Sequence, residues 1–268
     1  MNTPRYLKTT LAISLLTLSL LITATSAQDS KAKSISAQPT TEVQLNYSFE
    51  GLTNGYGVWR SVTLDFSRRF KPRQVVYGSL LATERFQRRD QQMTLGIYQP
   101  LNRKWSLQLE ASTSPTNRTL SRWTAFSGIE RNLPKGWNVQ AGYRRTHYRE
   151  AKVNLANAGV EKYFKNYRAA YTLYISNLAS GGTSASHRVQ FNRYYGEYSS
   201  SIGISGSLGK EIESLGSGRV LQTSVAGAGV SGHHWFNGRW GVNYDASATR
   251  QGRYYVRRGV NIGIRFRF

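Results

Sequence analysis

The end of the sequence constrains the fold most. Val260, Ile262, Ile264, Phe266 and Phe268 alternate with Asn261, Gly263, Arg265 and Arg267 as far as the chain is written. Successive side chains of a strand point to opposite faces, so this stretch is a strand with one apolar and one polar face. A soluble domain gains little from placing Phe where chain ends fray. A strand closing a barrel in lipid does gain. Its pairing with the first strand removes an edge whose N–H and C=O groups hydrocarbon would leave unsatisfied. Phe266 and Phe268 also read as the terminal signal that the barrel-assembly machinery of Gram-negative outer membranes takes up, with Phe268 at the periplasmic end.

The same alternation recurs upstream. Trp105, Leu107, Leu109 and Ala111 oppose Ser106, Gln108, Glu110 and Ser112, and Trp137, Val139, Ala141 and Tyr143 oppose Asn138, Gln140, Gly142 and Arg144. Trp105, Trp137, Tyr167, Tyr198 and Trp240 each follow a tight turn, where amphipathic rings would form an interfacial girdle. The turns are alike, as in Leu101-Asn102-Arg103-Lys104 and Phe236-Asn237-Gly238-Arg239, and they return at roughly 30-residue intervals (about 42 for the last), one hairpin plus its loops. The segments predict an all-β chain: a transmembrane up-and-down antiparallel barrel of 14 strands over residues 42–268, with 12 the alternative count. An even number puts both ends of the barrel domain in the periplasm. The outward loops then fall near Gly51–Gly57, Gln87–Asp90, Thr113–Thr119, Glu150–Lys152, Ala179–Ser184, Gly209–Val220 and Arg250–Arg253.

The beginning of the sequence agrees on the compartment. Arg5 and Lys8 precede an apolar run from Leu11 to Thr23, and small residues follow at Thr25-Ser26-Ala27. This predicts a signal peptide over residues 1–27 with cleavage before Gln28. Residues 28–41 are polar and read as a flexible periplasmic lead-in. The chain has no cysteine, which removes disulfides, cysteine-bound metals and a lipoprotein anchor. No cofactor or metal is expected. A mean hydropathy of −0.48 would suit a soluble protein, but only every second residue of a barrel strand faces lipid.

Several stretches resemble the YaiO-type family of outer-membrane barrels. They include Asn54-Gly55-Tyr56-Gly57-Val58-Trp59-Arg60, Ser67-Arg68-Arg69-Phe70, Thr83-Glu84-Arg85-Phe86, Gly159-Val160-Glu161-Lys162-Tyr163-Phe164, Ser186-His187-Arg188, His234-Trp235-Phe236 and Arg257-Arg258-Gly259-Val260. The resemblance runs from about Val43 to Phe268. It implies residence in the outer membrane and supplies no settled biochemical activity.

The formal charge of +22 asks for an explanation. Secretion and the lack of a base-binding motif argue against nucleic acid. Arg88, Arg89, Arg118, Arg122, Arg145, Arg149, Lys152, Arg250, Arg253 and Arg257 would lie towards the outer surface, where lipopolysaccharide offers phosphate and carboxylate. Of these, Arg88, Arg89 and Arg253 make up the rim candidates with Glu84, Arg85 and His187, and Glu84 and Arg85 are the best polar functional pair. Arg144, Arg168, Arg188 and Arg265 point inward by alternation, accompanied by Asp65, Glu110, Glu130, Glu161 and Asp245. Two readings follow. The inward bases outnumber the acids and line a narrow, anion-preferring passage for an anionic solute or saccharide, or the two signs pair and fill a monomeric structural barrel that binds lipopolysaccharide or a surface partner. A lipid- or glycan-modifying enzyme would rest on His187 alone. The sequence has no Gly-x-Ser-x-Gly elbow, metalloprotease helix or phosphate loop, so no catalytic residue is assigned.

Overall fold

The computed structural model describes residues 40–179, 181–214 and 220–268. The expected signal peptide and most of the polar lead-in lie outside them. Fourteen strands follow one another: β1 (Thr40–Leu52), β2 (Val58–Lys71), β3 (Gln74–Arg85), β4 (Arg88–Pro100), β5 (Trp105–Thr113), β6 (Trp123–Leu133), β7 (Trp137–His147), β8 (Lys152–Phe164), β9 (Tyr167–Leu178), β10 (Thr183–Tyr195), β11 (Ser200–Ser214), β12 (Val220–Trp235), β13 (Trp240–Gln251) and β14 (Tyr255–Arg267). Each pairs antiparallel with its sequence neighbours, and β14 pairs with β1, so the sheet is a closed barrel without an edge. The 14-strand count holds and the 12-strand alternative falls.

Closure has the chemistry read from the sequence. Val43, Leu45, Tyr47 and Phe49 of β1 sit opposite Phe266, Ile264, Ile262 and Val260 of β14. All eight side chains point away from the axis, and Leu45 and Ile262 are 54% and 63% exposed. Such a surface is stable only where the solvent is apolar. The other face is polar and shielded: Asn46 and Arg168 are 5% and 3% exposed. Trp105, Trp137, Tyr167 and Trp240 gather at one end of the barrel, called here the turn end, beside Arg131 and Lys162, which lie 5.2 Å and 4.7 Å from the rings of Trp105 and Trp137.

Short side chains set the turns at this end. Asn102 Oδ1 accepts the N–H groups of Lys104 (2.8 Å) and Trp105 (2.9 Å). Asn237 Oδ1 does the same for Arg239 and Trp240, both at 2.8 Å. An Asn three residues before a Trp thus closes the hairpin and delivers the ring to the interface.

The opposite, loop end departs from expectation in two places. The segment 209–220 was expected as a loop, but β11 runs on to Ser214 and β12 begins at Val220, in unbroken register. Strand β6 begins at Trp123 rather than near Leu120, because residues 114–122 are held inward by Asp90. Its carboxylate accepts the N–H groups of Arg118 (2.9 Å), Thr119 and Leu120 (2.9 Å) and the Thr119 hydroxyl (2.7 Å). Ser114, Thr119 and Leu120 are buried as a result.

Candidate functional site in the barrel interior

Register fixes which residues meet inside. At the turn end Glu42 of β1 takes Arg265 at 2.8 Å and Arg267 at 2.7 Å, both from β14, while the two guanidinium carbons lie 5.0 Å and 4.0 Å from the Trp235 ring. Glu161 of β8 holds Arg168 of β9 through two charge-assisted hydrogen bonds, and Arg168 also donates to Asn192 Oδ1 at 3.1 Å. With side chains only 7% and 4% exposed, this pair is deeply buried. Removing one partner of such a pair costs about 3–5 kcal/mol. Gly203 permits the arrangement, since a Cβ there would lie 2.1 Å from Asn192 Nδ2.

Midway along the barrel, Glu110 accepts from Tyr77 at 2.9 Å and lies 3.5 Å from Arg144. Arg144 stacks its guanidinium 5.2 Å from the Phe126 ring. Glu130 accepts from Tyr98 and Asn138, and Asp65 accepts from Asn46 at 2.7 Å. The wall made by β11 and β12 differs. Along its middle the inward positions are Ser201, Gly203, Ser205, Ser207, Gly227, Gly229 and Ser231, all small residues. Arg188 of β10 and Asp245 of β13 flank this wall and act on each other electrostatically, without an ion pair.

The sequence candidates therefore sort by face. Arg144, Arg168, Arg188, Arg265, Glu110, Glu130 and Asp245 all point inward. Glu84 and Arg85 do not form a pair: consecutive strand residues face opposite sides. Glu84 turns out to meet Arg89 at 3.1 Å, an exposed ion pair, and Arg85 turns in and is 7% exposed. Arg88 turns inward and Arg89 outward, while Arg253 lies in the turn between β13 and β14. Arg257, expected at the outer surface, faces the interior and lies 3.5 Å from Glu50. His187 faces outward, its Nδ1 2.8 Å from the Tyr171 hydroxyl, so it has neither Ser186 nor an acid as a working neighbour.

Sequence reasoning overlooked a contact of His233. Its Nε2 donates to the Ser199 carbonyl at 2.7 Å, which leaves Nδ1 to accept from Ser201 Oγ at 3.1 Å. A backbone carbonyl stands where a carboxylate would orient a catalytic imidazole, and Ser201 is buried. The contact joins β11 to β12.

The interior is also less basic than its arginines suggested. Among the described residues, inward strand positions hold Arg69, Arg85, Arg88, Arg144, Arg168, Arg188, Arg257, Arg265 and Arg267. Against them stand Glu42, Glu50, Asp65, Asp90, Glu110, Glu130, Glu161, Glu211 and Asp245, an equal number. The surplus lies at the rims. Arg60, Arg89, Arg145, Lys152, Lys210, Arg250 and Arg258 point outward near the loop end, all exposed, and Arg68, Arg131, Lys162 and Arg193 do so near the turn end. Among the described residues no group of His, Asp or Glu has the geometry to hold a metal ion.

Comparison with known proteins adds three findings. Residues 40–214 match the family described as the YaiO membrane beta barrel domain. A search of curated proteins finds no match. Among solved structures, a bacterial polysaccharide outer membrane secretin superposes with a TM-score of 0.53 at 8% identity, covering 87% of this chain and 99% of that one. The Acinetobacter baumannii outer membrane protein Omp33 gives 0.52 at 13% identity, with the same coverage of 87% and 99%. At these identities the likeness is one of fold.

Proposed function

This chain is a member of the YaiO membrane β-barrel family, resident in the outer membrane, and we propose that it forms a narrow passage for small hydrophilic solutes with a mild preference for anions. The observation that carries this reading is the asymmetry of the inner wall. Most inward charges are tied to partners, but the middle of the wall on β11 and β12 presents the hydroxyls and backbone of Ser and Gly. Polar groups that do not bind tightly suit conduction, which needs entry without capture.

Selectivity on this reading comes from the mouths. A balanced interior cannot reject one sign strongly, whereas the basic rims raise the local concentration of anions within a Debye length, roughly 8 Å at physiological salt. Purified protein in planar bilayers should show small unitary currents whose reversal potential under a salt gradient favours anions. The preference should weaken as ionic strength rises. Electrical silence or cation preference would defeat the proposal.

A second reading rests on the outward basic ring at the loop end. Arg60, Arg145, Lys152, Arg250 and Arg258 stand where the phosphates of lipopolysaccharide would lie, and Arg pairs bidentately with phosphate. Changing Arg145, Arg250 and Arg258 together to Ser should lower the lipopolysaccharide that co-purifies with the barrel. Unaltered co-purification would remove this reading and leave the passage untouched.

A further inference from the structure

We propose that the inner wall at the loop end holds an oxyanion-binding site built on Arg85, Arg257 and the indole N–H of Trp59, a site for a carboxylate or phosphate group of a small solute. Four adjacent strands assemble it. Arg257 comes from β14, Glu50 from β1, Trp59 from β2 and Arg85 from β3, and cross-strand register sets all four side chains on the inner face. The guanidinium carbons of Arg85 and Arg257 lie 5.0 Å and 5.4 Å from the Trp59 ring.

Two donors in this cluster lack acceptors. Trp59 is 1% exposed and Arg85 7% exposed, and neither Trp59 Nε1 nor Arg85 Nη1 finds an acceptor among the described residues. A buried donor left unpaired costs about 1–3 kcal/mol, and more when it is charged. The nearby acids do not answer them. Glu50 lies 3.5 Å from Arg257, and Glu211, the acid facing Arg257 from β11, accepts from Gln251 at 2.8 Å. Asp90 is occupied by the backbone of Arg118, Thr119 and Leu120. Tyr148, in the loop after β7, is pushed up to about 12 by burial, so it remains a neutral phenol and brings no counter-charge.

The hairpin beneath the site points the same way. Phe86 and Gln87 both take positive φ, 51° and 63°, a turn that ordinarily uses Asn-Gly. The strain places Arg85 and Arg88 side by side on the inner face and packs Phe86 edge-on against Trp59 at 5.1 Å. The carboxylates around the cluster thus have other partners, and the two unmet donors, Arg85 Nη1 and Trp59 Nε1, are what an incoming oxyanion would satisfy. Planar guanidinium groups match carboxylate and phosphate oxygens.

The test is calorimetry on the folded protein in detergent, with glucuronate and inorganic phosphate as probes and glucose as the uncharged control. Saturable binding of at least one anion is expected, with none of glucose, and whichever anion binds identifies the group recognised. Arg85→Gln should weaken that binding about tenfold, and Trp59→Phe, which keeps a ring but loses the N–H, about threefold to tenfold. Heat-modifiable gel mobility identifies folded variants. If Arg85→Gln does not fold, Trp59→Phe decides. An unaltered protein that binds neither anion saturably, or an affinity unchanged in the deciding variant, overturns the site. A silent bilayer recording bears only on the passage, since binding does not require conduction.

Discussion

Asp90 accepts four hydrogen bonds from a segment nearly thirty residues further along and is itself 1% exposed. Its charge is met by backbone N–H groups rather than by a base, which makes it a clamp on residues 114–122. Asp90→Asn keeps the size but turns one oxygen into a donor facing donors. It should destabilise the barrel by about 2 kcal/mol, since hydrogen bonds to a charged group contribute about 1.5–3 kcal/mol each. The thermal midpoint should fall, and limited proteolysis should begin to cut within 114–122; an uncut loop would contradict the clamp. The sequence disclosed the direction of Asp90 once β4 was recognised, but not its partners. Alternation reports the face of a residue and is silent on what distant segment returns to meet it. For the same reason Glu84 and Arg85 looked like a pair from the sequence, although a strand sends neighbours to opposite sides.

At the level of elements, strand existence was legible nearly everywhere, because lipid on one side and polar contacts on the other impose a strict period of two. Boundaries failed where that period was overridden. The start of β6 moved because Asp90 captures the preceding segment, and the β11–β12 hairpin ran on because Lys210 and Glu211 keep alternating beyond the expected turn at Gly209. The seam between β1 and β14 is the element most exposed to loss, being formed by the two strands farthest apart in the chain. Glu42 fastens it through Arg265 and Arg267. Glu42→Gln should leave two guanidinium groups weakly partnered and lower the unfolding free energy by about 2 kcal/mol. Urea titration followed by heat-modifiable mobility would measure this, and an unchanged midpoint would assign closure to the backbone and the apolar face alone.

For the whole molecule, the signed charge was legible as a sum and misleading as a location. Among the described residues the inward strand positions carry as many acids as bases, and the surplus bases ring the two ends. The acids at inward positions were visible in the sequence too, but their even matching with arginine emerges only when fourteen registers are known together. The basic rings also have a mechanical meaning. On β2 the outward face reads Arg60, then Val62, Leu64 and Phe66, then Arg68. Eight residues at about 3.3 Å each, tilted by roughly 40°, separate the two charges by roughly 20 Å along the membrane normal. Two rings of cations that resist burial, with apolar residues between them, act as a gauge of bilayer thickness. Refolding yield should therefore peak in short-chain lipids and fall as acyl chains lengthen, and a flat response would show that the side chains snorkel freely. The barrel carries on its outer face the depth of the membrane it was made to fit.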